Sequence, residues 1–224
     1  NNQPVVGQIV TALPYTLTLA LSALLISTVL GVGLGIISAL KHNTWIDSLA
    51  MGFALLGVSM PVFWLSMLLI LLFSVNLKWF PPMGQGSLDR LVLPALALGL
   101  LSSATLARLV RSSMLDVLSD DYIRTARAKG LRRNTVVIRH ALRNALIPAV
   151  TVMGLQFGGL ISGAVITETI FARVGLGRMY VESILNKDIT MIQGLTLVLA
   201  IIIMSINILV DLSYAVLDPR IRYE

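Results

Sequence analysis

Five runs without a charged residue set the pattern of this chain: residues 9–40, 49–77, 91–107, 144–167 and 189–210. Hydrocarbon takes roughly 20 helical residues to cross. Four of the runs reach or exceed that length, and the third gains it by extending past Arg108 toward Met114. None alternates strictly between apolar and polar residues, as a barrel strand would. Lipid admits only helices or closed barrels, because every backbone donor and acceptor must be satisfied internally. The pattern predicts an all-α integral membrane protein with five spans.

Each span carries local signals. Pro14 suits the opening turn of the first, where Thr11, Thr16 and Thr18 can bond back to their own helix. Gly31, Gly33 and Gly35 predict a close helix contact, since small residues let backbones approach in lipid. In the second run, GVSMPVFW puts Pro61 inside a helix and frees a carbonyl near Gly57. A kink repaired by Ser59 is one reading, and a hinge or pore-lining bend is the other. Trp79 fits an interfacial anchor, after which Phe80-Pro81-Pro82 ends the helix. The third run has Pro94 in its first turn, with Arg108 and Arg111 expected to snorkel to headgroups. The fourth follows Pro148 and carries Gly154, Gly158, Gly159, Ser162 and Gly163, predicting a tightly packed helix at an interface or pathway. Ser59, Pro61, Met153, Gln156, Gly159 and Ser162 are the candidate lining of a translocation path. Plain helix packing is the alternative for each.

Between the third and fourth runs lies a basic segment. Residues 108–143 hold nine Arg or Lys and three Asp. The excess of positive charge places this loop in the cytoplasm. Residues 41–48 and 218–224 then also lie inside, and 78–90 and 168–188 outside. The first residue falls outside as well, so an earlier span starting in the cytoplasm is expected, making these the last five of six. The formal net charge of +6 is explained by this bias and does not call for nucleic acid. Tyr122 is the only aromatic in the basic loop available for stacking.

Composition narrows the chemistry. At 56% hydrophobic and 12% charged, the chain cannot cover a soluble surface. It has no cysteine, and its two histidines, His42 and His140, both fall on the cytoplasmic side, so no metal site is expected. No span has an acid at its midplane, which argues against a proton-driven pump. Glu168 and Asp211 sit near span ends, where an acid is ordinarily a cap, an ion-pair partner or an interface residue. No internal repeat marks a complete inverted-repeat carrier. No GxxxxGK[ST] is present, so the chain is not expected to hydrolyse ATP.

Within the basic loop, Ser119-Asp120-Asp121 offers N-caps for a helix over 122–129. Ile123 and Ala126 would form its apolar ridge, with Arg124, Arg127 and Lys129 on other faces. Gly130 turns the chain, and a second helix over 134–146 leads into the fourth span. The segment reads as a surface on anionic lipid, or more weakly on nucleic acid, or as a docking helix for a cytoplasmic motor protein. The elbow and the rigid return into a span favour the last.

The stretch YIRTARAKGLRRNTVVIRHALRNALIP resembles the cytoplasmic loop of permease subunits of binding-protein-dependent ABC importers. That loop generally reads Glu-Ala-Ala, three residues, Gly, nine residues, Ile, one residue, Leu-Pro. With the glycine at Gly130, Arg124, Thr125 and Ala126 take the Glu-Ala-Ala places and only the last matches; Pro148 comes five residues late. These departures fit the dipeptide/oligopeptide/nickel branch, which the chain resembles nearly end to end. GVSMPVFW at 57–64, RSSMLDVLSDDYIRTARAKG at 111–130, ETIFARVGLGR at 168–178 and NILVDLSYAVLDPRIRY at 207–223 carry the likeness. It implies a type I importer transmembrane domain in a bacterial or archaeal inner membrane. One permease domain would cover residues 1–224, with a coupling loop at 116–143 and an extracytoplasmic loop at 168–188. The implied partners are a second homologous permease, two cytoplasmic ATPases that hold ATP and magnesium, an extracytoplasmic solute-binding protein, and lipid. ATPase coupling would fall to Tyr122, Arg124, Thr125, Ala126, Arg127, Lys129, Gly130, Leu131, Arg132 and Arg133. Arg173, Gly175, Gly177 and Arg178 would meet the binding protein. A short peptide is the leading cargo, with nickel or a metal chelate second; an ion-coupled carrier is the rival class.

Overall fold

The computed structural model describes residues 4–217, and among these every regular element is helical. Four helices are long and apolar enough to span a membrane: α1 (Val5–Leu40), α4 (Asp89–Ser119), α8 (Ile147–Ile170) and α10 (Ile189–Leu217). A broken pair forms the fifth candidate. Here α2 (Trp45–Ser59) and α3 (Val62–Leu69) meet at 110°, and α3 runs on as a π-helical segment, Ile70–Asn76. At one end of the bundle, the inner end by the charge bias of the loops, lies α5 (Asp121–Ala128). It is followed by α6 (Arg133–Thr135), a π-helical stretch Val136–Ala141, and α7 (Leu142–Ala145). The opposite end, outer by the same bias, carries α9 (Leu176–Leu185) between α8 and α10.

The kink expected at Pro61 is a full break. Met60 and Pro61 are both extended, at ψ 130° and 140°, so the helix ends at Ser59 and restarts at Val62. Proline supplies the reason: it has no N–H, and it drives the residue before it out of the helical region. Ser59 bonds within its own turn, its hydroxyl donating to the Leu55 carbonyl at 2.9 Å.

Helix α1 packs along α4 at backbone distance. A Cβ added at Gly31 would lie 2.9 Å from the Ser103 carbonyl oxygen, and one at Gly35 would lie 2.7 Å from that of Ala107. The reciprocal small residue is Gly99, whose Cβ would meet the Ala23 carbonyl at 2.9 Å. In lipid the hydrophobic effect gives helices no reason to associate, so such van der Waals fit has to supply it. The third glycine of the row, Gly33, faces nothing within 4 Å and takes no part.

Two of the four apolar clusters among the described residues join the long helices to one another and to the basic loop. Leu19, Ala20 and Ala23 of α1 meet Ala95 and Leu98 of α4 and Leu160, Ile161 and Ala164 of α8 in mid-span. At the inner end Leu106, Val110 and Met114 of α4 pack with Ile123 and Ala126 of α5 and with Val136, Ala141 and Ala145. Much of the remaining apolar surface is exposed, as in α2 (Leu49, Phe53, Leu55, Leu56) and α10 (Leu197, Ile201, Met204, Ile208). That suits spans facing lipid or another membrane chain.

Candidate functional site

The inner surface is built around α5. Asp120 precedes it with an extended backbone, yet its side chain makes no capping bond; its carbonyl accepts from Ile123 and Arg124 instead. The capping expected of Ser119-Asp120-Asp121 is therefore carried by the main chain. Ile123 and Ala126 form the buried side. The opposite side presents Arg124, Arg127, Lys129, Arg132 and Arg133, all exposed. Arg124 has only a long, open contact of 3.5 Å with Asp121, which adds little in water. Thr125 bonds back to Asp121 at 2.9 Å. Tyr122 ties the two arms of the loop together: its hydroxyl accepts from Asn144 Nδ2 at 2.9 Å. Gly130 turns the chain at φ +78°, a conformation that suits glycine, and a Cβ there would touch nothing within 4 Å. Leu131 follows, exposed. The result is a short cationic helix on an apolar footing, projecting at a glycine elbow.

The outer loop is organised differently from expectation. Glu168, in the last turn of α8, is buried together with Thr16 of α1. One carboxylate oxygen accepts from the Gly177 amide at 2.8 Å and the Arg178 amide at 3.2 Å. The other accepts from the Thr16 hydroxyl at 2.6 Å, and that hydroxyl accepts from the Leu176 amide at 2.8 Å. The three free amides of the first turn of α9 are thus satisfied by one acid and one threonine from two other helices. A carboxylate at a helix N-terminus also meets the positive end of the helix dipole.

This arrangement places the four residues expected to meet a binding protein unequally. Arg173 is buried at 4% exposure, with Nη1 donating to the Arg90 carbonyl at 3.3 Å. Its Nε has no partner among the described residues. Burial pushes the Arg173 guanidinium below its usual pKa, and the nearby Glu168 charge pulls it back. Gly175 and Gly177 are buried because the loop passes directly over α8. A Cβ on Gly175 would land on the Glu168 carboxylate, and one on Gly177 would land on Val165 Cα. Of the four expected contacts only Arg178 is partly open, paired with Glu182 at 2.7 Å. A second tie joins the outer loops, with Val174 N donating to Gln85 Oε1 at 2.8 Å.

The six candidate path residues fall into two groups. Ser59, Pro61, Gly159 and Ser162 are exposed, the last two on one face of α8 with Leu155 and Ile166. Met153 and Gln156 point into the bundle. Gln156 Nε2 donates to the Ser102 carbonyl at 3.0 Å, and its Oε1 accepts from Ser27 at 3.4 Å. Met153 Sδ accepts from Thr28 at 3.2 Å. These two bolt α8 to α1 and α4. The small residues of α8 also divide: Gly154 meets Val210 and Gly163 meets Leu98, while Gly159 has nothing within 4 Å.

One polar cluster escaped the sequence reading. Arg111 does not snorkel. Its Nε and Nη2 donate to the two oxygens of Asp47 at 2.7 and 2.8 Å. Asp47, in the first turn of α2, also accepts from the Ser38 hydroxyl of α1 and from the Asn43 amide at 3.1 Å. His42 Nδ1 lies 3.0 Å from Arg111 Nη2 and 3.2 Å from Asp47. The one hint was an acid standing in an inner turn beside Lys41 and His42.

Comparison with known proteins agrees with this architecture. A family model described as the binding-protein-dependent transport system inner membrane component matches residues 31–223. The glutathione transport system permease protein GsiC of Escherichia coli (strain K12) is 44% identical over 224 residues, covering 100% of this chain and 73% of its own. The dipeptide transport system permease protein DppB of Alkalihalophilus pseudofirmus is 42% identical over 250 residues, covering 99% and 75%. Among solved structures, an inward-facing MetNI methionine ABC transporter superposes with TM-score 0.83 at 17% identity, covering 97% of this chain and 100% of the other. An amino acid ABC transporter with histidines gives 0.72 at 15% identity, covering 94% of each. The fold, the spans and a match running through both loops agree: this chain is a multi-pass inner membrane protein of the binding-protein-dependent transport system inner membrane component family.

Proposed function

We propose that this chain, paired with a second homologous permease subunit, forms the pore of an ATP-driven importer for di- or oligopeptides. The observation that carries the cargo is the likeness, over essentially the whole chain, to permeases named for a dipeptide and for glutathione, itself a tripeptide. Two cytoplasmic ATPases hold the ATP and magnesium, and this chain supplies no catalytic group. The cationic surface from Tyr122 to Arg133, formed by α5 and the turn after it, docks on an ATPase, because its charged side chains lack strong partners among the described residues. The solute-binding protein meets the outer surface, where Arg178 and Glu182 are the charged pair within reach.

The cargo is tested on the partner solute-binding protein by calorimetry with di-, tri- and oligopeptides. Saturable peptide binding is the expected result. Tight binding of a nickel chelate without any peptide binding would move the cargo to metal. Uptake into vesicles that survives a hydrolysis-dead ATPase would instead favour an ion-coupled carrier.

The path runs along the open face of α8 and the α2–α3 break, lined by Ser59, Pro61, Gly159 and Ser162. A chain without native cysteine makes this testable by single-cysteine scanning. Cysteines at 59, 159 and 162 are expected to react with a membrane-impermeant maleimide in at least one nucleotide state. Cysteines at 153 and 156 are expected to stay unreactive. Silence at 159 and 162 from both sides in every state would place the path elsewhere.

A further inference from the structure

The Asp47–Arg111 pair sits where motion at the inner surface would have to pass. Arg111 lies eight residues before α4 ends at Ser119, about 12 Å along the helix axis. One residue separates that end from α5. Helices α1 and α4 pack at backbone distance at Gly31 and Gly35. Helix α2 meets α4 less closely: a Cβ at Gly57 would lie 3.2 Å from Ala104 Cβ and 3.6 Å from the Leu100 carbonyl oxygen. Only Asp47, Ala50 and Ala54 of it are buried, and its outer end meets α3 at the extended residues Met60 and Pro61. Alanine contacts hold α2 by van der Waals fit alone. The bidentate pair is different, because it fixes both distance and orientation. Asp47 receives donors from Arg111 on α4, from Ser38 on α1 and from the Asn43 amide in the connecting turn. One carboxylate therefore gathers three helices at the inner end of the arm.

We propose that Asp47 and Arg111 are positioning residues for coupled transport. The pair carries displacement of α5, through the inner end of α4, to α2, and so turns the arm about the break at Pro61. This rests on the reading of α5 as the docking helix. It adds that force reaches the pathway through one polar contact as well as through general packing.

The test uses the complete transporter in proteoliposomes, with labelled dipeptide and labelled glutathione as probes. The readout is ATP hydrolysed per probe molecule imported. Asp47→Asn and Arg111→Gln are each expected to raise that ratio at least tenfold. Arg111→Lys keeps the charge but loses the planar fork, and is expected to fall between them and the native protein. In the double variant Asp47→Cys/Arg111→Cys, a short bifunctional methanethiosulfonate, which forms a reducible disulfide with each cysteine, re-ties the helices. The tether is expected to bring the ratio back to within threefold of native, and reduction of the disulfides to undo this. A contact needed only for folding would lower the yield of complex and leave the ratio alone. An unchanged ratio in all three single variants overturns the proposal. So does a raised ratio that no tether restores. Gly130→Asp in the same assay separates the two levels. If it couples normally, the docking reading itself fails. If it uncouples while the Asp47 and Arg111 variants do not, only the role of the pair fails.

Discussion

Gly130→Asp is expected to insert, fold and assemble nearly as the native chain does, and to lose most coupled transport, by tenfold or more. The first half follows from the geometry. Gly130 lies at φ +78°, and a Cβ there meets nothing within 4 Å, so no internal clash arises. The remaining penalty is the left-handed backbone, which aspartate tolerates better than most residues at a cost of about 1 kcal/mol. That is too small to unfold a helical bundle whose inner core includes Ile123, Val136 and Met114. The second half follows from the docking reading. A new carboxylate at the elbow changes the shape and charge of an exposed surface. Thermal stability of the purified complex, its ATPase stimulation by loaded binding protein, and uptake are the three measurements. Native values of all three would remove α5 as the docking element.

Glu168→Ala is expected to have the largest effect on stability, a loss on the order of 3 kcal/mol for the outer layer, with poor complex yield. The carboxylate accepts from Gly177 N, Arg178 N and Thr16 Oγ1, in a site from which water is excluded. Removing it leaves the buried Gly177 amide, the partly buried Arg178 amide and a buried hydroxyl without that acceptor, and leaves buried Arg173 without its nearby counter-charge. Glu168→Gln keeps one carbonyl acceptor and is expected to lie between alanine and native. Gly175→Ala tests the same packing from the other side, because its Cβ falls on the carboxylate. Hydrogen exchange resolved to α9 is the discriminating measurement. Protection of residues 176–185 should fall sharply in Glu168→Ala while that of α4 holds. Loss of protection spread evenly over both would mean that Glu168 supports the whole bundle and does not specifically cap α9.

Hydropathy and charge, read along the chain alone, determined the helical class, the approximate spans and the apolar ridge of α5, and they supply the expectation that the basic loop lies inside. Those properties are local or one-dimensional. Bilayer thickness sets the length of each run, and the lysine and arginine bias sets its direction. A 3.6-residue period is enough to mark Ile123 and Ala126 as one face. Gly31 and Gly35 were legible as contact points, but not which helix they touch. Pro61 was legible as a disturbance, but not as a 110° turn. The angle depends on how Met60 and α3 pack beyond the proline.

Only the tertiary structure decided what the isolated charged residues do. Glu168 and Thr16 are 152 positions apart, and Asp47 and Arg111 are 64 apart. No spacing rule links residues on different helices. Arg111, read alone, looks like any arginine at an inner boundary, and Arg173 like any loop arginine. Burying either needs a partner supplied by another element, because an unpaired charge away from water is too costly to keep. Which partner arrives is fixed by helix packing. The same limit applies to the path residues. Gln156 and Ser162 are six residues apart on one helix, yet one turns inward to α1 and α4 and the other outward. Neither direction is written in the sequence until the neighbours of α8 are in place.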